Sequence, residues 1–569
     1  IETNALELTD ASLTSTGKTT LAVAGGTRLA GSALVAGTDL AVSAASLLDT
    51  ASASGMANNN LRRAGGALSL AVGDGASLGA THWSAAGAWN GTFGNLVTTG
   101  ATQLYSGNGT LIASADKGDL ALGLAVLQSA GNMALTSSGK ISTATGGVLQ
   151  SQGGNLLLTA GSGMSNAGTM TADKGAVTVR ADGALSNSGT VNAAGALDIA
   201  DRLGNAALNS VSNSGKLLAG KTLALRAASI DNSATGWVQA ATASTVNAGT
   251  LNNSGAWLLS QQGTAKDTVT VTGALVNAGT MHSRGDATFA TGSVDNQGAL
   301  LADGDLAVAT SSDFSNGANA ITQAGHTLSV SAGGKLDNAA TAVMRGAVVA
   351  LKAAQGLSNA GVVSAEAGSA TLRVNGTLSN SGGLQAGTDL DIADLNGGGS
   401  ENVANTGYMV ANGALTLKAT AITNAVAGTD ARNGSIQAGT NSTVNAASID
   451  NAGTWVLSQK GGGASQVTLA GTLLNQAGAT LQAGTAGGSE NVTYHVAKID
   501  NRGKLVATGN LQANVSASDG FANQDTVQAG GTLGIQGATT ALTNDKNATL
   551  IGNGLNIDVA GIDNSGKII

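Results

Sequence analysis

The sequence predicts an all-β protein, a parallel β-helix (solenoid) in which each coil of the chain stacks on the next. Three observations lead to this fold class: an Asn-x-Gly tripeptide that returns about every 21 residues, short stretches of alternating apolar and polar residues, and the absence of proline. A repeat of this length indicates coils that bury their apolar side only against neighbouring coils. The chain of 569 residues contains 85 Gly and 0 Pro, as expected when almost every backbone N–H donates to a sheet.

The tripeptide runs through most of the chain from residue 166 onwards. Asparagine tolerates a left-handed turn, and its amide can bond to the equivalent asparagine of the coils above and below. We therefore expect a structural asparagine ladder, and the alternative is a ligand bound along this edge. The asparagines of the tripeptides are Asn166, Asn187, Asn213, Asn253, Asn277, Asn296, Asn359, Asn380, Asn451, Asn501 and Asn564.

A single coil is visible in residues 185–202. Leu185 precedes the tripeptide turn, and further on Leu197 and Ile199 alternate with Asp198. Such strands are too short to pair with their sequence neighbours, so pairing with the equivalent strand one coil away is favoured. At about 21 residues per coil the chain makes roughly 27 coils, and a strand spacing of about 4.8 Å gives a rod about 130 Å long.

The sequence also contains a second repeat that is much longer than one coil. Residues 244–261 return as residues 442–459, and residues 197–201 return as residues 390–394. We interpret this as the duplication of a block of about 195 residues, which is how a repeat protein gains length.

The regularity of the repeat predicts two regions. Residues 1–150 are expected to form an irregular β-helix, and residues 151–569 a regular one that contains the duplicated block. Glycine-rich stretches at residues 397–401, 461–463 and 484–490 are predicted to be loops that leave the β-helix.

Residues 50–110 depart from the repeat pattern and are rich in aromatic residues, which make up only 2% of the chain. Two interpretations remain open: a surface for a partner, or a wide coil or hairpin that covers its own rings. The candidate partner-binding residues are Arg62, Arg63, Trp83, Trp89, Phe93 and Tyr105. Trp257 and Trp455 occupy equivalent places in the duplicated block, which favours a structural role for both.

Composition narrows the possible functions. The net charge of −8 provides no electrostatic footprint for nucleic acid. The chain has 0 Cys, so it has neither disulfides nor a zinc–thiolate site. No apolar stretch approaches the ~20 residues that a transmembrane helix needs. We therefore expect no nucleic-acid partner and no transmembrane segment.

The sequence predicts no catalytic residue, no cofactor site and no metal site, and thus no enzyme. The four histidines are far apart and lack metal-ligand spacing. Asp198/Asp201 and Asp391/Asp394 are the nearest approach to paired carboxylates, and they are expected to be solvated or to form turns. A carbohydrate-active β-helix enzyme, the alternative from another class, would need carboxylates of neighbouring coils to converge on one face.

Two stretches carry a resemblance to a known family. Residues 378–392, Leu-Ser-Asn-Ser-Gly-Gly-Leu-Gln-Ala-Gly-Thr-Asp-Leu-Asp-Ile, and residues 499–511 resemble the haemagglutinin repeats of the filamentous haemagglutinin family. These are large two-partner-secretion exoproteins of Gram-negative bacteria, and they include adhesins and contact-dependent growth inhibition effectors. The resemblance extends from about residue 150 to residue 569, and no catalytic residue is carried over by it.

The resemblance implies a right-handed β-helix that is exported through an outer-membrane transporter β-barrel and is secreted or held at the bacterial cell surface. With no secretion-domain motif in the chain, we expect an internal segment of a filament. Such a segment extends or presents a binding or toxin-delivery tip toward a receptor on a target bacterial or host cell. A pure spacer without a binding site of its own is the other possibility.

Overall fold

The computed structural model describes residues 1–52, 60–204, 207–263, 265–428, 432–459 and 463–569. Within these residues every regular element is a β-strand and no helix is present. The strands make about 26 turns of a right-handed parallel β-helix. The fold class predicted from the tripeptide repeat and the missing proline is therefore confirmed.

The chain forms two compact units, Ile1–Ala287 and Thr288–Ile569. In both units a coil consists of three strands on three sheets, which we call sheets 1, 2 and 3 in chain order. One coil of the first unit, for example, contributes Val177–Ala181 to sheet 1, Ala184–Asn187 to sheet 2 and Thr190–Ala193 to sheet 3. Each strand pairs in parallel with the equivalent strand of the next coil.

The first unit contains four groups of strands. Sheet 1 has Glu2–Thr3, Thr19–Val23, Trp89–Phe93, Leu111–Ala115, Met133–Ser137, Leu156–Ala160, Val177–Ala181 and Leu197–Ala200. Sheet 2 has Leu6–Thr9, Gly26–Ala30, Leu96–Thr99, Leu120–Ala121, Lys140–Thr143, Gly163–Asn166, Ala184–Asn187 and Leu208–Asn213. Long strands shared by sheets 1 and 2 are Leu40–Thr50, Leu68–Gly79, Thr222–Asn232, Ala243–Asn253 and Asp267–Asn277. Sheet 3 has Ser12–Ser15, Ala33–Ala36, Leu61–Ala64, His82–Ala85, Gln103–Ser106, Val126–Ser129, Val148–Ser151, Thr169–Ala172, Thr190–Ala193, Lys216–Ala219, Trp237–Ala240, Ala256–Ser260 and Thr280–Ser283.

The second unit repeats this arrangement. Sheet 1 has Leu306–Thr310, Thr327–Ala332, Val348–Ala353, Ala370–Val374, Leu390–Ala393, Ser442–Ala446, Ser465–Leu469, Val492–Val496 and Leu511–Val515. Sheet 2 has Phe314–Asn316, Leu336–Asn338, Leu357–Asn359, Thr377–Asn380, Ser400–Asn405, Ser448–Asn451, Thr472–Asn475, Lys498–Asn501 and Phe521–Asn523. Ala287–Asn296, whose first residue is the last of the first unit, and Leu415–Asn424 are shared by sheets 1 and 2. Thr526–Asn544 and Thr549–Asn564 pass through all three sheets. Sheet 3 has Ala299–Ala302, Ile321–Ala324, Val343–Gly346, Val362–Ala365, Gly383–Ala386, Tyr408–Ala411, Ser435–Ala438, Thr454–Ser458, Thr480–Ala483, Lys504–Ala507 and Lys567–Ile568.

The core is a set of apolar stacks inside the coils. Alternation along each strand buries Leu197 and Ile199 and leaves Asp198 on the outer face. Parallel pairing then places Leu197 between Val177 and Leu223 of the neighbouring coils. Each such side chain contributes about 1.5–3 kcal/mol when it is fully buried. Because the contacts are made between coils, an isolated coil has no core of its own.

Buried asparagines form a hydrogen-bonded ladder in the first unit, where each closes a sheet 2 strand. Each Nδ2 donates to Oδ1 of the asparagine one coil further on, at 2.7–2.8 Å. Thr143 begins the row, and its Oγ1 donates to Asn166 Oδ1 at 2.6 Å. The row runs through Asn166, Asn187, Asn213, Asn232, Asn253 and Asn277.

The second unit has its own ladder at the same place in the coil. The distances from Nδ2 to Oδ1 are 2.6–2.9 Å. Members such as Asn316 and Asn475 lack the glycine two residues later, so the tripeptide pattern does not mark them. The row runs through Asn296, Asn316, Asn338, Asn359, Asn380, Asn405, Asn424, Asn451, Asn475, Asn501, Asn523, Asn544 and Asn564.

The glycine of the tripeptide is explained by how closely the turns stack. A Cβ atom at Gly189 would overlap the backbone carbonyl oxygen of Gly168 in the preceding turn. Gly382 lies in the same way against the carbonyl oxygen of Gly361. Any side chain would force the two backbones apart, so the close approach requires glycine at this position.

The three-strand coil also continues through the described part of residues 50–110, of which residues 53–59 lie outside the described ranges. Leu61–Ala64, His82–Ala85 and Gln103–Ser106 pair in parallel on sheet 3. In the described part of this aromatic-rich region, the strands thus form regular coils of the β-helix, and none of them forms a hairpin. Among the predicted glycine-rich loops, residues 394–399 and 484–491 lie between strands, and residues 460–462 are outside the described ranges. The division expected near residue 150 stays a prediction.

Candidate functional site

A buried charged cluster lies beneath the outer face of sheet 3 in the first unit. Asp49 is the penultimate residue of Leu40–Thr50, in its sheet 2 part, and Arg62 lies on Leu61–Ala64; the side chains of both are 0% exposed. Arg62 donates through Nη2 to Asp49 Oδ1, and Trp83 donates through Nε1 to Asp49 Oδ2 at 2.8 Å. Both carboxylate oxygens are therefore paired.

Burial sets the electrostatics of this cluster. It raises the pKa of the Asp49 carboxyl and lowers the pKa of the Arg62 guanidinium, and each partner opposes the shift of the other. Removing one member of such a buried pair costs about 3–5 kcal/mol, because it leaves an uncompensated charge. The cluster therefore ties sheet 2 to sheet 3 under the surface that lies above it.

That surface is a groove formed by the outward side chains of three consecutive sheet 3 strands. Leu61 and Arg63 flank Arg62, His82 and Ser84 flank Trp83, and Gln103 and Tyr105 lie one coil further on. We call these six outward residues the His82 groove. Strand alternation produces both layers, since each inward residue of the cluster has an outward neighbour in the groove.

The geometry of the His82 groove follows from parallel register. Arg63, Ser84 and Tyr105 are aligned across the three strands, as are Leu61, His82 and Gln103. His82 Nδ1 lies 2.7 Å from Gln103 Oε1, which holds the two side chains together. Two cavities of about 600 and 630 Å³ open on this face and share Leu61 and His82 as lining residues.

The charge of the His82 groove contrasts with that of the whole chain. Among the described residues, Arg63 is the only Arg or Lys that lines either cavity, and no Asp or Glu of these residues lines them. Arg63 is exposed and, within the described residues, forms neither an ion pair nor a hydrogen bond. A guanidinium is therefore free to bind, although the chain carries a net charge of −8.

The candidate partner-binding residues are divided between the two layers. Trp83, Trp89, Phe93 and Arg62 point into the coil and are at most 2% exposed. They cannot touch a partner on the outer face, because alternation places them inside. Of the six candidates, the outer surface holds only Arg63, which is exposed, and Tyr105, which is half-buried.

Sequence reasoning missed His82, Ser84 and Gln103 as members of the groove, and it also missed Trp237. Trp237 is 42% exposed on the outer face of sheet 3, whereas Trp257 is buried. Position within the strand was the available signal: Trp237 precedes the inward Val238, whereas Trp257 follows Ala256 and is itself inward. Counting from the tripeptide turn would have separated these two tryptophans.

The paired carboxylates noted in the sequence have local partners. Arg180 Nη2 lies 2.5 Å from Asp198 Oδ2, and Arg373 Nη2 lies 2.5 Å from Asp391 Oδ2 in the duplicated block. Asp394 accepts hydrogen bonds from the backbone N–H groups at residues 396 and 398, which makes it a turn residue. Over the ranges that the structure describes, no group of three or more His, Asp or Glu is arranged to hold a metal ion.

Comparison with known families decides the identity of the repeat. A family model described as Haemagglutinin repeat matches five segments, which together span more than half of the chain: 190–279, 282–340, 410–477, 462–525 and 506–569. The chain belongs to the filamentous haemagglutinin family. The matched segments contain coils with the asparagine ladder, whereas the His82 groove lies outside them.

Proteins of the filamentous haemagglutinin family are secreted or surface-exposed adhesins and filaments without enzymatic activity. The comparisons with curated proteins and with solved structures found no match. In the described part of the chain, no helix is both long and apolar enough to span a membrane. The family and the β-helix together fit an adhesin-like filament.

Proposed function

We propose that this chain is a segment of a bacterial surface filament that contacts a target cell through the His82 groove. The observation that carries the proposal is a free guanidinium, Arg63, two strands away from a half-buried ring, Tyr105, on the outer face of the β-helix. Arg and Tyr are among the residues that contribute most to binding interfaces. The strand that carries Arg63 also carries Arg62 of the buried cluster, which holds its backbone in place before a partner binds.

The route to the cell surface is part of the same proposal. Export as an unfolded chain through an outer-membrane transporter β-barrel suits a protein with 0 Cys, since no disulfide can form on the way. Stacking between neighbouring coils also suits progressive folding, because each coil that emerges can pack on the previous one. A receptor on a bacterial or a host cell is the expected partner.

The proposal is tested by binding the labelled chain to bacterial cells and to host epithelial cells in parallel. The variants are Arg63→Ala and Tyr105→Ala. The matched control is Arg345→Ala, because Arg345 is the third residue of the sheet 3 strand Val343–Gly346, as Arg63 is of Leu61–Ala64. Trp83→Ala is unsuitable because it would remove a core side chain.

We expect at least tenfold weaker binding for each groove variant and unchanged binding for Arg345→Ala. Binding to bacteria alone would assign the chain to toxin-delivering growth inhibition, and binding to host cells would assign it to host adhesion. Equal binding by all variants, or binding to neither cell type, would overturn the proposal in favour of a spacer.

A further inference from the structure

We propose that the His82 groove binds a saccharide that carries a carboxylate, an inference that rests on the proposed function and specifies its ligand. The groove is open and accessible on the outer face of sheet 3, and its lining residues include hydroxyl, amide, imidazole and guanidinium groups beside Leu61 and several alanines. The ligand chemistry follows from the charge, the hydrogen-bonding groups and the strand pairing of this face.

Charge selects an acidic ligand. Arg63 is the only Arg or Lys of the lining residues, no carboxylate of the groove neutralises it, and it forms no ion pair within the described residues. A guanidinium presents two parallel N–H donors that match the two oxygens of a carboxylate. A neutral saccharide would offer this donor pair only hydroxyl oxygens, which carry no opposite charge.

The neighbours of Arg63 select a hydroxyl-rich ligand. Ser84 and Tyr105 are aligned with Arg63 across the strands, and Gln103 and Asn60 line the adjoining cavity. Hydroxyl and amide groups can both donate to and accept from sugar hydroxyls. The ring of Tyr105 adds an apolar face with a polar end, which suits the mixed surface of a pyranose.

Strand pairing disfavours a peptide as the ligand. A peptide often binds by adding a strand to the free edge of a sheet. The central strand of the groove, His82–Ala85, is paired on both sides, with Leu61–Ala64 and with Gln103–Ser106. Its backbone groups are therefore already used, and a ligand must bind through side chains alone.

Isothermal titration calorimetry with two matched pairs of probes tests the ligand class. The pairs are trigalacturonic acid with its methyl ester, and 3′-sialyllactose with lactose. We expect at least one acidic probe to bind at least tenfold more tightly than its neutral counterpart, and added salt to weaken it because exposed charges are screened. Arg63→Ala should reduce this binding at least tenfold, and Arg345→Ala should leave it unchanged.

Circular dichroism of each variant must first match the unaltered chain, so that a loss reports on the groove and not on folding. Equal binding of acidic and neutral probes, no binding of either acid, or full binding by Arg63→Ala would overturn the ligand class.

Competition on cells separates this inference from the proposed function. If cells bind the chain through Arg63 but excess acidic saccharide does not compete, the ligand class is overturned and the proposed function stands. If the acidic saccharide binds through Arg63 but the groove variants bind cells as tightly as the unaltered chain, the proposed function is overturned and the ligand class stands.

Discussion

At the scale of single residues, the duplicated block offers a comparison between a buried carboxyl and a buried hydroxyl. Asp267 accepts a hydrogen bond from the Ser244 N–H at 2.7 Å and one from the Ser260 hydroxyl at 2.6 Å. The second copy has Ser465 at the corresponding place, where its Oγ accepts from the Ser442 N–H at 3.1 Å. The same turn is thus built with and without a titratable group.

Replacing Asp267 by Ser should make stability less dependent on pH. Burial raises the pKa of Asp267 above its ordinary value, while the Ser260 and Ser283 hydroxyls oppose the rise. A raised pKa contributes stability that is fully present below the unfolded-state pKa and is lost as the pH rises through the folded-state pKa. The melting temperature of Asp267→Ser minus that of the unaltered chain should therefore increase between pH 4 and pH 7.

The reciprocal variant is the control for this prediction. Ser465→Asp introduces a carboxyl at the corresponding site, so its melting temperature relative to the unaltered chain should decrease over the same pH range. Parallel pH profiles for all three proteins would contradict the assignment of a burial-driven shift to Asp267.

At the scale of the element, the asparagine ladder joins the turns that end sheet 2. Asn187 accepts from Asn166, donates to Asn213 Oδ1 at 2.7 Å, and also approaches the carbonyl oxygen of Lys216 at 3.2 Å. A buried amide in this setting satisfies groups in three successive coils. The ladder therefore sets the register of each coil against its neighbours.

Breaking the ladder at one position should destabilise several coils. Asn187→Ala removes the ladder partner of the Asn166 Nδ2 donor and of the Asn213 Oδ1 acceptor, at a cost of about 2 kcal/mol. Hydrogen exchange should accelerate in the strands of residues 163–219, and the midpoint of thermal unfolding should fall.

Asn192→Ala is the matched control, since Asn192 lies on the next strand of the same coil and is exposed. An equal loss for the two variants would contradict a special role for the buried row.

At the scale of the whole molecule, the inner coils of each unit pair with the coils directly before and after them. The strand Leu336–Asn338, for example, pairs with Phe314–Asn316 on one side and with Leu357–Asn359 on the other. Stability in such a protein is close to a sum of coil terms and nearest-neighbour terms. Coils are therefore units that can be gained or lost, as the duplicated block illustrates.

Deleting one whole coil should preserve the fold of the second unit. Removal of residues 338–358 joins Asp337 to Asn359 and keeps an asparagine at the end of the sheet 2 strand. We expect an unchanged circular dichroism spectrum and a melting temperature within a few degrees of the starting value. Removal of residues 338–347 alone should unfold the neighbouring coils, because it breaks the register of all three sheets. Similar melting temperatures for the two deletions would contradict this picture.

The fold could be predicted from the sequence, whereas the candidate site could not. The tripeptide repeat and the missing proline were enough to predict the parallel β-helix. The repeat length and the number of backbone N–H donors can both be read from the sequence alone. The groove could not be predicted from the sequence, because Arg63, Ser84 and Tyr105 come from three different coils and are aligned only by the parallel register of their strands. Composition drew attention to residues 50–110, yet it pointed to Trp83 and Trp89, which are core side chains.

By itself, then, the sequence determined the solenoid, the recurrence of its coils and the family to which they belong. The tertiary structure decided which side of each strand faces outward, and so which of Arg62 and Arg63, or of Trp257 and Trp237, can meet a partner. The physical reason is that successive side chains of a strand point to opposite faces. A shift of one residue in register exchanges core and surface, and only the stacking of coils establishes that register.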